Sequence, residues 1–388
     1  MTTSKYIFIL FIISSFSACD LDRLNLEEEF LPNYSITIDS KFVSESTNSD
    51  LIALNDEEYL MAIETELSEI ELMQYNQLFE NDSWDIEEEL VLNIGTGDLL
   101  FFDTIPNGYL IGYTDLTNQF NLKFVDHNFN EIGSQSNFEN YIDTAYNKID
   151  SLHFKNYAVD PISHEMILGG NVVTQETNYS CLLKIDADLN PIWFKTYFEN
   201  STISDLAIIN RDSFYVLNNH SDGTDLIIDN TLGTAYKKFD LSNDQLFFGI
   251  QSIVEDKSLF LAGIINDIAR TIEINLETEI AFVNEIEIYP VTDFKALYLS
   301  RDNIITAGIQ VEGGEQQLFS SELESFGSQW CNRYPNEKFI KVLDLIELPE
   351  RGILISSIVE RQGLYYINLT RIDEEGATVT NEYSENCI

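Results

Sequence analysis

One pattern recurs along the chain and limits its fold more than any other feature. The segments "EEYLMAI", "NGYLIGY", "HEMILGG", "DSFYVLN", "KSLFLAG", "DNIITAG" and "RGILISS" are short apolar runs, several ending in Gly. Their first large apolar residues are Tyr59, Tyr109, Met166, Phe214, Leu259, Ile304 and Ile353, spaced about 49 residues apart on average. Repeats of this length are supersecondary units that cannot bury their apolar faces alone; stacked, they share a core. A second run precedes many of the anchors: "SDLIALND", "GDLLFFDTIP", "SDLAIINRD", "KALYLSRD" and "VLDLIELPE". Apolar or alternating runs of this length between polar turns read as strands.

A third and fourth strand follow from another alignment. "LKFVDHNFNEIG" (122–133), "LKIDADLNPIWF" (183–194), "KKFDLSNDQLFF" (237–248), "IEINLETEIAFV" (272–283), "SSELESFGSQWC" (320–331) and "TRIDEEGATVTN" (370–381) each read as strand, turn, strand. Asp, Asn and Gly suit such turns because they bond their own backbone and tolerate positive φ. Asp186, Asp188 and Asn190 also spell the D-x-D-x-N of a calcium loop. The repeat counterparts "NLETE" and "LESFG" are poor metal loops, and the Gly and distal Glu of an EF-hand are missing. The segment therefore reads as a hairpin turn. No metal site and no cofactor are expected, with Ca2+ the one ion that the acidic composition leaves room for.

Four strands per unit of about 49 residues describe an all-β fold, a β-propeller of seven four-stranded blades. Six is the alternative, because "YLMAIETELSEIELMQY" (59–75) could also be an amphipathic helix. The strand 34–42 is placed to close the ring beside the last blade and hide its edges. The expected organisation is a signal peptide at 1–18, an acidic tether at 19–45 and the propeller at 46–388.

The N-terminus reads as an export signal: "MTTSK", the short apolar run "YIFILFIISSF", then "SAC". The segment Phe16-Ser17-Ala18-Cys19 resembles a bacterial lipoprotein lipobox, which implies lipidation of Cys19; Phe16 departs from the usual Leu. Several acyl chains on one residue give stable anchoring. The acidic segment behind Cys19, "DLDRLNLEEEFLPN", resembles the surface-export signals of Bacteroidota lipoproteins. Units such as "GYLIGYTD…FNLKFVDHNFNEIG" resemble the degenerate propeller repeats of secreted and lipidated Bacteroidota proteins across 46–388. The Lys-x-Asp…Trp part is loosely similar to the quinoprotein-type repeat, its Trp kept only at Trp193 and Trp330. These resemblances imply an outer-membrane, surface-facing location and say little about activity.

Charge narrows the partners. Asp and Glu total 66 against 21 Lys and Arg, for a net charge of −45. Such a chain repels nucleic acid and anionic lipid, and suits cations, basic protein patches or neutral glycans. No His-x-x-x-His spacing, phosphate loop or nucleophile elbow is present, so the four His residues (127, 153, 164, 220) read as surface groups. Carboxylates are too numerous for a catalytic pair to stand out. Export permits disulfides; Cys331, on an outer strand of the penultimate blade, and Cys387, after the outer strand of the last blade, are the pair that could pin the C-terminus. Cys181 reads as a buried small hydrophobe, and the repeated Trp as blade-to-blade packing. "NNHSDGTD" (218–225) reads as the longest polar loop. The expected function is a non-enzymatic binding scaffold for a protein partner at the outer membrane. The alternative is a carbohydrate-binding or carbohydrate-active propeller, with carboxylates and aromatics converging at one mouth of the ring.

Overall fold

The computed structural model describes residues 35–386 apart from short stretches, the longest of them 374–384. β1 (Ser35–Val43) precedes β2 (Ser49–Ala53), β3 (Glu58–Glu64), β4 (Glu69–Glu80) and the 23-residue β5 (Ser83–Ile105). β6 (Gly108–Asp115), β7 (Phe120–Asp126) and β8 (Glu131–Gln135) continue the same sheet, because β5 pairs with β4 through its first half and with β6 through its second. Antiparallel four-stranded meanders follow. The first is β9 (Ser151–Val159), β10 (Met166–Val173), β11 (Asn178–Ile185) and β12 (Pro191–Glu199). The second is β13 (Ser201–Asn210), β14 (Ser213–His220), β15 (Gly223–Asn230) and β16 (Tyr236–Ser242). The third is β17 (Phe247–Ile253), β18 (Ser258–Ile265), β19 (Ile268–Asn275) and β20 (Ile280–Glu285). The next sheet is β21 (Val291–Tyr298), β22 (Ile304–Glu312), β23 (Glu315–Glu324) and β24 (Gly327–Tyr334). β25 (Lys338–Glu347), β26 (Ile353–Arg361) and β27 (Leu364–Ile372) form the last sheet with β1, which lies antiparallel to β27. The short β28 (Glu385–Asn386) adds to the edge of β24.

The anchor runs are the second strands of these meanders, and their burial explains why they read as continuous apolar runs. β3, β6, β10, β22 and β26 are buried along nearly their whole length, on both faces. A strand covered on one face alternates; one sandwiched between two neighbouring sheets does not. The outer strand β8, by contrast, is largely exposed.

Six of the apolar clusters among the described residues join two consecutive sheets, and a seventh joins the two halves of the sheet that β5 spans. Tyr59, Met61 and Tyr75 pack with Leu354, Ile367 and Leu369 of the last sheet, and with Ile38 and Val43 of β1. Leu60 and Leu72 pack with Tyr109 and Ile111; Leu110 and Leu122 with Leu168 and Leu183; Ile167 and Leu182 with Phe214 and Val216. Tyr215 and Leu217 pack with Leu259 and Leu261, Ala269 with Ile304 and Phe319, and Ile305 and Ile309 with Ile353 and Ile355. The first strands touch in the same order: β2 meets β5, then β9, β13, β17, β21 and β25, and β25 meets β2 again.

One alternative falls and two sequence expectations change. Residues 59–75 form the β3–β4 hairpin and not a helix. The segment 237–248 is not a third and fourth strand; it contains the fourth strand β16 and the start of β17. The third strand of that sheet is β15, so "NNHSDGTD" is no loop: it ends β14, turns, and begins β15 with Thr224 and Asp225 buried. Their polar side chains, together with the fully buried Asn218, concealed a strand pair.

Gly97 marks the place where β5 leaves one partner for the next. Its φ is +145°, and a Cβ there would lie 2.0 Å from the Thr114 carbonyl oxygen. The close approach admits no side chain. Gly97→Ala is expected to lower unfolding stability by more than about 2 kcal/mol, read from urea denaturation; an unchanged midpoint would show that β5 can shift.

Candidate functional site

Several half-buried charged side chains gather where the first strands meet. Asp293 on β21 accepts the Val342 N–H of β25 at 2.6 Å. Asp344 on β25 accepts the Leu51 N–H of β2 at 3.0 Å, and its other oxygen takes the Leu345 N–H at 2.8 Å. Asp50 on β2 accepts the Phe102 N–H of β5 at 2.8 Å. Three consecutive first strands, β21, β25 and β2, thus each pass a carboxylate to the backbone of the next. Asp103 on β5 is bonded by the Tyr157 hydroxyl of β9, and Asn156 of β9 donates to the Ile203 carbonyl of β13 at 2.8 Å. Register shifts next to Asp205, Asp293 and Asp344 show how the side chains are aimed: an extra residue re-orients the strand at that point.

Two lysines face this ring. Lys341 of β25 donates to the Thr47 carbonyl and to Asn48 Oδ1, both at 3.1 Å. The Lys295 charge acts on Asp50, Asp293 and Asp344. Burial nevertheless dominates the carboxyl groups. It holds Asp50 well above the usual carboxylate range, with the neighbouring Asp344 charge adding to the effect. Burial also pushes Asp344 up to about 6 against Lys295 and two backbone N–H groups. Glu64, beside the ring, is pushed up to about 7 by burial and then by Asp98. Burial draws Lys341 below its ordinary value.

A cavity of about 100 Å³ opens among these groups, walled by Ser49, Asp50, Leu99, Leu100, Lys295 and Lys341. Among the described residues no aromatic side chain lines it, and it is smaller than the roughly 300–1,000 Å³ typical of small-molecule sites. Sequence reasoning missed this ring. A signal was present, since Asp precedes Leu or Phe in several first strands, at Asp50, Asp205, Asp293 and Asp344. It was lost among 66 acidic residues.

The remaining sites named from sequence fall elsewhere. Asp186 sits in the β11–β12 turn. Its Oδ1 accepts the N–H groups of Asp188 and Asn190, the Asn190 amide spans both oxygens, and Leu189 takes φ +66°. Asp126 builds the same turn with Asn128 and Asn130 between β7 and β8. Among the described residues no three His, Cys, Asp or Glu side chains gather into a metal cluster. The melting temperature is expected to be the same with and without a chelator; a drop on chelation would reveal a stabilising ion.

His127 stands edge-on to Tyr109, and His153 bonds Ser151. His220 lies 3.2 Å from the buried Asp225, whose same oxygen takes Lys238 at 2.7 Å. Trp193 stacks on Phe214 of the next sheet at 6.1 Å, so it packs sheet against sheet. Cys181 is buried and free, its thiol pushed far up by burial. Cys331 on β24 is disulfide-bonded. Cys19 and Cys387 lie outside the described residues.

No family model and no curated protein sequence matches the chain. Among solved structures it is similar to the AfRom2 CNH domain, at 12% identity over 87% of this chain and 98% of that one, with a TM-score of 0.51. It is also similar to the Dos1 propeller, at 11% identity over 87% of this chain and 80% of that one, with a TM-score of 0.50. Identity this low speaks for architecture and not for activity. The chain is an all-β protein of antiparallel sheets with the fold of β-propellers.

Proposed function

We propose that this protein is a lipid-anchored, seven-bladed propeller at the outer membrane that serves as a non-enzymatic binding scaffold for a protein partner. One observation carries the non-enzymatic part: Asp50, Asp293 and Asp344 each hold a backbone N–H of the next first strand. Carboxylates engaged in this way tie the ring together, whereas an acid–base pair must be free to reach a substrate. The cavity beside them lacks the size and the aromatic walls that a sugar ring would use. The seven-blade reading is supported by seven apolar clusters among the described residues, six joining consecutive sheets and one joining the two halves of the sheet that β5 spans. The lipid anchor rests on the sequence around Cys19.

The test is a crosslinked pulldown of the protein from its own outer membrane, with a Cys19→Ala control. A stoichiometric protein that disappears in the control is the expected result. Abundant, intact protein without a partner would turn attention to glycans and overturn the scaffold reading.

Cys387 is the proposed partner of Cys331. The pairing is supported by β28, which runs antiparallel to β24 with Glu385 opposite Arg333 and Asn386 opposite Asn332. Alkylation of the denatured, unreduced protein should label Cys181 and neither Cys331 nor Cys387. Labelling of Cys387 would dismiss the pairing.

A further inference from the structure

We propose that three neighbouring turns form a docking face for a protein whose contact patch is apolar and edged by Lys and Arg. This face rests on the scaffold reading above and gives it a location. Leu67 in the β3–β4 turn is 77% exposed, Leu116 in the β6–β7 turn 71%, and Leu364 at the start of β27 45%. Phe42 on β1 is 45% exposed. A single exposed leucine is ordinary, but these form one strip. The Phe42 ring leans on Tyr366, two residues from Leu364, at 5.4 Å. The Phe42 carbonyl accepts the Glu66 N–H at 3.1 Å, next to Leu67. The Ser68 carbonyl, on the other side of Leu67, accepts the Gly97 N–H at 2.8 Å. Gly97 stands opposite Asp115, which adjoins Leu116. Leu54 and Ile162 are exposed at other turn tips, so one apolar tip is ordinary; leucines at three adjoining tips present a larger apolar area to water, which is costly unless something covers it.

Charge selects the occupant. Glu45 and Glu66 are exposed at the edges of the strip and Asp115 lies beside it, on a chain of net charge −45. A second copy and an anionic bilayer would both be repelled. A partner with cationic groups around an apolar centre is complementary in both respects.

The experiment places a photocrosslinking p-benzoylphenylalanine at Leu67 or Leu116 of the full, lipidated chain. Leu54 and Ile162, exposed in the β2–β3 and β9–β10 turns, are the controls. The expected result is one protein adduct common to 67 and 116 and absent from the controls, mapped to an apolar segment flanked by Lys or Arg. Its yield should fall several-fold in Glu66→Lys. An adduct with lipid, with a second copy, or with a protein indifferent to Glu66→Lys would overturn the proposal, as would no adduct at either position. A Cys19-dependent partner without adducts at 67 and 116 would refute this face and leave the scaffold reading standing. Unchanged melting of the substituted chains guards against misfolding, because all four positions are exposed.

Discussion

A chain beginning at Ser44 is expected to lose cooperative folding, while one beginning at Tyr34 folds like the full protein. β1 lies across β27 from Ser35↔Thr370 to Val43↔Tyr365. Ile38 and Val43 are 4% and 3% exposed and enter the cluster shared by the first and last sheets. Burying two such side chains contributes about 3–6 kcal/mol. β1 also completes a polar network around the buried Asn368: Ser35 Oγ donates to its Oδ1 at 3.3 Å, and its Nδ2 donates to Thr37 Oγ1 at 3.2 Å. Without β1 that amide loses its acceptor at a further cost of about 1–3 kcal/mol. The sum rivals the roughly 5–15 kcal/mol that holds an ordinary domain together. Removal would also expose β27 as a long edge, inviting aggregation. The reading is the urea transition by circular dichroism: sigmoidal for the Tyr34 start, broad or absent for the Ser44 start. A synthetic peptide of residues 34–43 added in trans should restore the transition by strand addition. A Ser44 start that melts like the full chain would mean that the last sheet is stable with three strands.

The repeat was legible because burial on both faces leaves its mark on sequence. β3, β10 and β26 are continuous apolar runs for the same reason, and their spacing alone led to stacked four-stranded units. The register failed at one unit for an identifiable cause. β15 begins Gly-Thr-Asp and pairs with Asn218 and Asn219 of β14, so buried polar residues there imitate a loop. The carboxylate ring was hidden differently. Nothing in a chain with 66 acidic residues separates Asp344, whose oxygens face backbone N–H groups, from an acid on a solvated turn. That distinction depends on a bulge and on the neighbouring strand, both products of tertiary structure. The leucine strip joins residues from 42 to 364, and only β1 pairing with β27 brings its ends together.

Asp344→Asn and Asp344→Ala are expected to move stability in opposite directions at neutral pH. The folded protein holds the Asp344 carboxyl up at about 6, above an unfolded value near 3.8, chiefly by burial. A raised carboxyl favours the folded state fully below the unfolded value, and that advantage is lost as pH rises through the folded one. The window is therefore about pH 4 to 7, with stability falling as pH climbs. For a shift of this size the loss is about 2 kcal/mol once the group's residual exposure is allowed for. Asp50 and Glu64 are shifted in the same direction and add to the slope. Relief of repulsion among the many acids acts likewise, so the wild-type slope alone does not isolate Asp344. The two variants do. Asn keeps an oxygen to accept the Leu51 or Leu345 N–H and carries no charge, so Asp344→Asn should match or exceed the wild type at pH 7.5. Its melting temperature should also vary less with pH. Ala removes the acceptor and leaves the Leu51 N–H without its partner across β25 and β2, at a cost of about 1–3 kcal/mol at every pH. Equal pH slopes in wild type and Asp344→Asn would show that this carboxylate is ionised normally in the folded ring. The joint would then be held by an ionised carboxylate and not by a protonated one.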